Sequence, residues 1–210
     1  MINIIFYMKK YEVLSENTID ADPFIQFDTW YRQHLQSGSP NPSSVSLGTA
    51  SDNGTVSVRT VLLKEYSEDG FVFFTNYTSR KALHLNMNNN AALLFYWPES
   101  GRQVRIEGRT EKISPEASTR YYISRPRASR LSAWASKQSS VIPGREYLEE
   151  CFSCYKKKFK GHPVERPSFW GGYRIMPSWF EFWQNGKDRL HDRICYSFRE
   201  DTWVTERLAP

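Results

Sequence analysis

The sequence predicts a mainly β protein with peripheral helices, an α+β arrangement built on an antiparallel meander. Three observations carry this expectation. Apolar and polar residues alternate through "SSVSLGTAS" (43–51) and "TVSVRTVLLKEY" (55–66), and the two runs flank Asn53-Gly54, a strong hairpin signal. Further apolar runs are separated by the short turns "SEDG" and "PESG". Helical spacing is confined to one segment before the meander and a few that punctuate it.

Taken in order, "ADPFIQFDTWYRQHLQSG" (21–38) reads as an amphipathic helix, with Asp22 as cap, Pro23 in the first turn and Gly38 closing it. Phe24, Phe27, Trp30, Tyr31 and Leu35 recur at helical spacing and form a core or subunit-contact stripe. After the first hairpin come "FVFFTN" (71–76), a short helix "SRKALHLNMNN" capped by Ser79, and the pair "AALLFYW" and "RQVRIEGRTEKI". "SPEASTRYYISRP" has Ser114 as cap, Pro115 at the first position and Pro126 as terminator. "GREYLEECFSCYKKKFKG" is the longest helix of this half. The end, "SWFEFWQ", "DRICYSFRE" and "TWVTERLAP", returns to strand composition, and the meander is long enough to close into a barrel. Residues 1–21 form a leader, and 22–210 form a single domain.

Among 210 residues, 28 basic against 23 acidic side chains leave a net charge of +5. That mild excess suits a phosphorylated small molecule as well as a nucleic acid. Three cysteines, an odd number, fit a reducing compartment, and the apolar opening "MINIIFYM" is too short to span a bilayer. The expectation is a soluble cytoplasmic protein with no membrane partner. Cys151 and Cys154 form a C-x-x-C inside a helix without a second ligand pair, so small-side-chain packing is the better reading and no metal is expected. There is no Gly-rich phosphate loop and no Rossmann fingerprint.

Candidate anion sites come from position. "TNYTSRKA" puts Thr75, Thr78, Ser79, Arg80 and Lys81 at a helix start, where cations oppose the dipole unless an anion is bound. "RTVLLK", read as strand, brings Arg59 and Lys64 to opposite ends and opposite faces. Tyr121 and Arg125 lie one helical turn apart, and Pro126 lets Ser129 fold back toward them. In "FWQNGKDRLHDR" (182–193), an extended chain would put Arg189, His191 and Arg193 on one face, although the pattern fits a solvated charged loop equally well.

"RTVLLK", "FFTNYTSRKA", "RQVRIEG", "YYISRPRAS", "SKQSS", "PSFWGGYR", "EFWQNGKDRLHDR" and the terminal "ERLAP" occur together in the order and spacing of the pyridoxine/pyridoxamine 5′-phosphate oxidases. The chain resembles that family from about Asp22 to Pro210. The resemblance implies an FMN-binding split β-barrel and a homodimer with FMN in a cleft between subunits. It implies FMN contacts at Arg59, Thr60, Val61, Leu62, Leu63, Lys64, Phe74, Thr75, Arg80, Lys81, Gln103, Gln138, Ser139, Trp183 and Arg193. Substrate phosphate falls to Lys64, Tyr121, Arg125 and Ser129, and the catalytic positions over the pyridine ring to Arg189 and His191.

The implied reaction oxidises pyridoxamine or pyridoxine 5′-phosphate to pyridoxal 5′-phosphate. Hydride passes to flavin N5, and molecular oxygen is reduced to hydrogen peroxide. The sequence departs from the family at Met8, where a lid arginine is common in "MKKY" (8–11), so the leader is a candidate substrate lid only with Tyr11. It departs also at Arg130, Ser132 and Asn185. Competing readings are a split-barrel flavoprotein with another substrate or a deazaflavin, and a non-catalytic pyridoxal-phosphate or nucleic-acid binding module. The scattered basic residues match a discrete pocket rather than a nucleic-acid stripe, so no nucleic-acid partner is expected.

Overall fold

A computed structural model describes residues 13–210 of the chain; Met8 and Tyr11 lie outside the described residues. The first helix, α1 (Pro23–Leu35), starts as its sequence requires: Asp22 accepts from the Phe24 amide at 2.7 Å, and Pro23 needs no partner there. Its stripe is core. Phe27, Trp30 and Tyr31 are buried, although Leu35 at the end of the helix is largely exposed. Phe27 meets Phe71 and Phe95 edge-on, with ring centroids 4.9 and 5.0 Å away. Burying each such ring contributes about 1.5–3 kcal/mol.

The strands follow as β1 (Ser44–Ala50), β2 (Val56–Leu62), β3 (Glu65–Ser67), β4 (Gly70–Asn76), β5 (Asn90–Trp97), β6 (Arg102–Lys112), β7 (Trp170–Gln184), β8 (Asp192–Arg199) and β9 (Thr202–Arg207). The helices between them are α2 (Arg80–Met87), α3 (Pro115–Ser124), α4 (Arg127–Ala135) and α5 (Arg145–Lys158). Among the described residues all nine strands join one antiparallel sheet in the order β2-β1-β5-β6-β7-β4-β3, with β8 on β7 and β9 on β8. The Asn53-Gly54 hairpin pairs Ala50 with Val56, as its turn chemistry dictates.

The length of β7 sets the architecture. β6 pairs with it from Gln184 to Tyr173, but its other edge is shared. β4 takes the first half (Asn76↔Trp170 to Phe71↔Ile175), and β8 takes the second (Trp179↔Ser197 to Gln184↔Asp192). Between the halves, β6 shifts register at Glu107/Gly108 against Pro177 and Trp179, leaving Ser178 unpaired. Gly108 is required there, because a Cβ would collide with the Met176 carbonyl. The bulge bends the sheet into a curled half-barrel, as expected of a split barrel.

Two local expectations change. Ser79 precedes α2 in extended conformation but its side chain caps no amide; its hydroxyl instead lies 3.4 Å from Lys81 Nζ. Cys154 is exposed and Cys151 half-buried on α5, so the C-x-x-C contributes little packing. No helix among the described residues is long and apolar enough to cross a membrane.

Candidate active site

A cavity of about 710 Å³ opens between β2, β4, α3, α4 and the loop after α4. Its walls carry Arg59, Thr60, Val61, Leu62, Lys64, Phe74, Thr75, Lys81, Tyr121, Arg125, Ser129 and Gln138, all expected from sequence, together with Trp170, which was not. No Asp or Glu is among its lining residues. The expectation that Arg59 and Lys64 face opposite ways fails for a local reason. β2 ends at Leu62, so period-two alternation no longer applies at Lys64, and both cations reach the same cavity. Leu63 turns its side chain into the core.

The deepest cation is Lys81. It is 8% exposed, and its Nζ donates to Thr75 Oγ1 at 3.1 Å and to Gln138 Oε1 at 3.2 Å, all neutral acceptors. Burial and the nearby Arg59 guanidinium hold its pKa down to about 8. Arg59 is lowered for the same reasons, burial first and the exposed Arg80 second. Three like charges thus gather at the start of α2 with no carboxylate among them to offset their repulsion. Thr75 also donates to Gln138 Oε1 at 2.9 Å, which draws the loop after α4 across the cavity.

On the other wall, Arg125 ends α3 in extended conformation before Pro126, and α4 then brings Ser129 back to the same cavity. Tyr121 stacks on Phe74 at 3.9 Å between centroids, Phe74 stacks on Trp170 at 5.3 Å, and the Arg125 guanidinium lies 4.7 Å from the Trp170 ring centroid. Arg125 Nη1 is buried without a hydrogen-bond partner. A donor in that position is costly to leave unmet, and it belongs to a charged group. Burial pushes the Tyr121 phenol up and the Arg125 guanidinium down.

The remaining expected residues form a second cluster. Gln103 pairs with Trp183 across β6–β7, and Trp183 pairs with Arg193 across β7–β8. Trp183 lies eleven residues beyond Gly172, the partner of Phe74 on β7; that is about 36 Å of strand contour at ~3.3 Å per residue. The two clusters thus stand toward opposite ends of β7.

Arg193 is held rather than free. Its Nε donates to Glu181 at 2.7 Å and its Nη1 to the Ala209 carbonyl at 2.7 Å. Glu181, 1% exposed, also receives Arg105 at 2.9 Å. Sequence reasoning passed over this carboxylate because its partners lie on other strands.

The turn between β7 and β8 differs from the extended reading of 182–193. Lys187–Arg189 form a single 3-10 turn, and Asp188 and Arg189 adopt positive φ, so the strand begins only at Asp192. Gly186 permits this, since a Cβ there would strike the Leu190 carbonyl. Its amide donates to His191 Nδ1 at 3.1 Å, and the ring lies 4.6 Å from Trp183. Because Nδ1 accepts, neutral His191 carries its proton on Nε2 and presents a donor. Arg189 is exposed at the tip of the turn, and Ser139, with φ 73°, is exposed in the loop beside Gln138.

Residues 32–150 match the family model described as pyridoxamine 5′-phosphate oxidase, and residues 170–210 match the pyridoxine 5′-phosphate oxidase C-terminal dimerisation region. The chain belongs to the pyridoxine/pyridoxamine 5′-phosphate oxidase family. It is 51% identical over 198 residues to the pyridoxine/pyridoxamine 5′-phosphate oxidase of Rippkaea orientalis, covering 94% of this chain and 93% of that one. The corresponding protein of Trichormus variabilis is 48% identical over 200 residues, covering 95% and 94%.

Among solved structures, PhzG from Burkholderia lata, in complex with tetrahydrophenazine-1-carboxylic acid, superposes with a TM-score of 0.88 at 28% identity, covering 95% of this chain and 98% of that one. A pyridoxamine 5′-phosphate oxidase-related, FMN-binding protein from Nostoc punctiforme shares the fold, with a TM-score of 0.71 at 18% identity over 90% and 98%. Within the family, the second cluster lies wholly in the dimerisation region apart from Gln103.

Proposed function

We propose that the chain is an FMN-dependent oxidase that converts pyridoxamine 5′-phosphate or pyridoxine 5′-phosphate to pyridoxal 5′-phosphate, with oxygen reduced to hydrogen peroxide. The observation that carries this reading is the cavity lined by Arg59, Lys64, Lys81 and Arg125 with no carboxylate among its lining residues. Cations at graded depth, Lys81 buried, Arg59 and Arg125 half-buried and Lys64 exposed at the mouth, fit dianionic phosphate groups, and the orphaned Arg125 Nη1 is a donor waiting for one. Bound FMN would supply the two-electron acceptor, at N5 of its ring.

The residues of this chain divide the remaining work. Arg59, Arg80 and Lys81 hold the cofactor phosphate, with Thr75 and Gln138 ordering Lys81 against it. Lys64, Tyr121, Arg125 and Ser129 hold the substrate phosphate. Anchoring both phosphates fixes two planar rings at contact distance, which is the main catalytic contribution the protein makes. Arg189 stabilises charge developing on the substrate, and His191 donates from Nε2 rather than accepting a proton there. The turn 185–191 lies in the family's dimerisation region, and a second copy of the chain would bring it to this cavity, so the homodimer is the catalytic unit.

Relatives near 50% identity are named for pyridoxine and pyridoxamine phosphates, which favours a phosphate ester over the tetrahydrophenazine carboxylate held by the Burkholderia protein. The test is the visible spectrum of the purified dimer, followed by peroxide release on adding pyridoxamine 5′-phosphate. A yellow protein that releases peroxide is expected. A colourless protein that FMN cannot reconstitute refutes the reading.

A further inference from the structure

Arg59 owes its orientation to a buried hydroxyl outside the cavity. Its Nη1 donates to the Leu47 carbonyl at 2.9 Å and to Thr49 Oγ1 at 2.8 Å, while Nε and Nη2 have no protein partner among the described residues. Thr49 is 4% exposed, and its Oγ1 lies 3.3 Å from Nδ1 of His84, which is 7% exposed. A hydroxyl carries one proton and two lone pairs. With the Arg59 N–H on one lone pair, the Thr49 hydroxyl still serves His84 Nδ1, as donor or acceptor according to the imidazole tautomer, and so bridges β1 to α2. His84 is on α2, one turn after Arg80 and Lys81. Neither Thr49 nor His84 lines the cavity.

We propose that Thr49 and His84 are positioning residues that register Arg59 on β2 against Arg80 and Lys81 on α2, so that the three cations converge on one phosphate. The proposal rests on the FMN reading above. The physical reason is that the cations repel one another and come from two separate elements, β2 and α2, which both pack on β1. Fixing Nη1 spends one edge of the guanidinium on the protein and leaves the other toward the cavity. Without the hydroxyl, Nη1 keeps only the Leu47 carbonyl, Arg59 is held less firmly toward Arg80 and Lys81, and the ligand must restore its orientation on binding. The loss should therefore fall on the phosphate and not on the isoalloxazine ring.

The experiment compares FMN with riboflavin, which lacks the phosphate, by flavin fluorescence quenching on the full-length apo dimer. Thr49→Val keeps the volume and removes the hydroxyl. It should weaken FMN by about tenfold, the order of one charge-assisted hydrogen bond, and leave riboflavin affinity unchanged. Thr49→Ser should restore FMN binding. His84→Leu removes only the other partner of the hydroxyl, and should show the same phosphate-selective loss by a smaller factor, so it carries the test if Thr49→Val does not fold. Unchanged FMN affinity in both variants, or equal losses for FMN and riboflavin, overturns the positioning role alone. A wild-type protein that takes up neither flavin overturns the FMN reading and this proposal together.

Discussion

Replacing Lys81 by methionine removes a charge from a place where the ligand-free protein resists it. The ammonium group is 8% exposed, has no carboxylate partner, and is held from the ordinary 10.5 down to about 8. At about 1.4 kcal/mol per tenfold change in proton affinity, the empty cavity opposes the charged side chain by roughly 3 kcal/mol. Methionine escapes that opposition but loses the hydrogen bonds from the charged amine to Thr75 and Gln138, at about 1.5 kcal/mol each. The net expectation at pH 7 is a ligand-free variant within about 1 kcal/mol of wild type, where an ordinary buried ion pair would lose several.

The pH dependence has a definite sign. Between pH 8 and 10.5 the unfolded chain holds the Lys81 proton and the folded one does not, so wild-type stability rises with pH across that window. The methionine variant, which lacks that titration, falls behind wild type there. Ligand binding runs the other way: FMN needs the protonated amine, so wild-type affinity falls as pH rises through 8, and the variant shows no such fall. Losing one charge-assisted contact of about 2–3 kcal/mol weakens FMN roughly 30- to 150-fold. Urea unfolding of the apo protein at pH 7 and pH 10, with FMN titrations at both, measures all four quantities. A variant less stable than wild type by more than 1 kcal/mol at pH 7, with FMN affinity intact, refutes the electrostatic account.

Two further outcomes are expected on the same grounds. Arg125→Leu removes the buried guanidinium whose Nη1 lacks a partner; it should raise KM for pyridoxamine 5′-phosphate about 10- to 100-fold while flavin content stays at wild-type level, and steady-state kinetics on the yellow protein would expose an unchanged KM. Gly186→Ala forces a Cβ against the Leu190 carbonyl and so displaces His191 and Arg189; kcat should fall more than about tenfold with the FMN spectrum retained, and full turnover would remove the turn from the active site.

Much of the fold was legible because its signals are local. The Asp22-Pro23 and Ser114-Pro115 helix starts, the Asn53-Gly54 turn and the alternation along β1 and β2 each act within a few residues, and each appears where it was read. The misread details fail where a local rule meets a non-local one. Ser79 looks like a cap, but Lys81 and Thr75 compete for its hydroxyl. Lys64 seemed to face away from Arg59 until the strand proved to stop at Leu62. Arg189 departs from the strand pattern because Gly186 lets the chain turn before β8 begins. Thr49 and His84 belong to no family segment, and Trp170 and Glu181 sit within "PSFWGGYR" and "EFWQNGKDRLHDR" with no role legible there, since each acts on partners from other elements.

From the sequence alone came the elements, their order, the family and the residue types that hold phosphate. These rest on backbone preferences and on eight segments recurring in fixed order. The tertiary structure decided which of those residues share a cavity. β7 divides its edge between β4 and β8, and the bulge at Gly108 bends it. That places Lys64, Lys81 and Arg125 together and sends Trp183, His191 and Arg193 to the far end. Register and curvature are properties of paired strands, and no single strand encodes them.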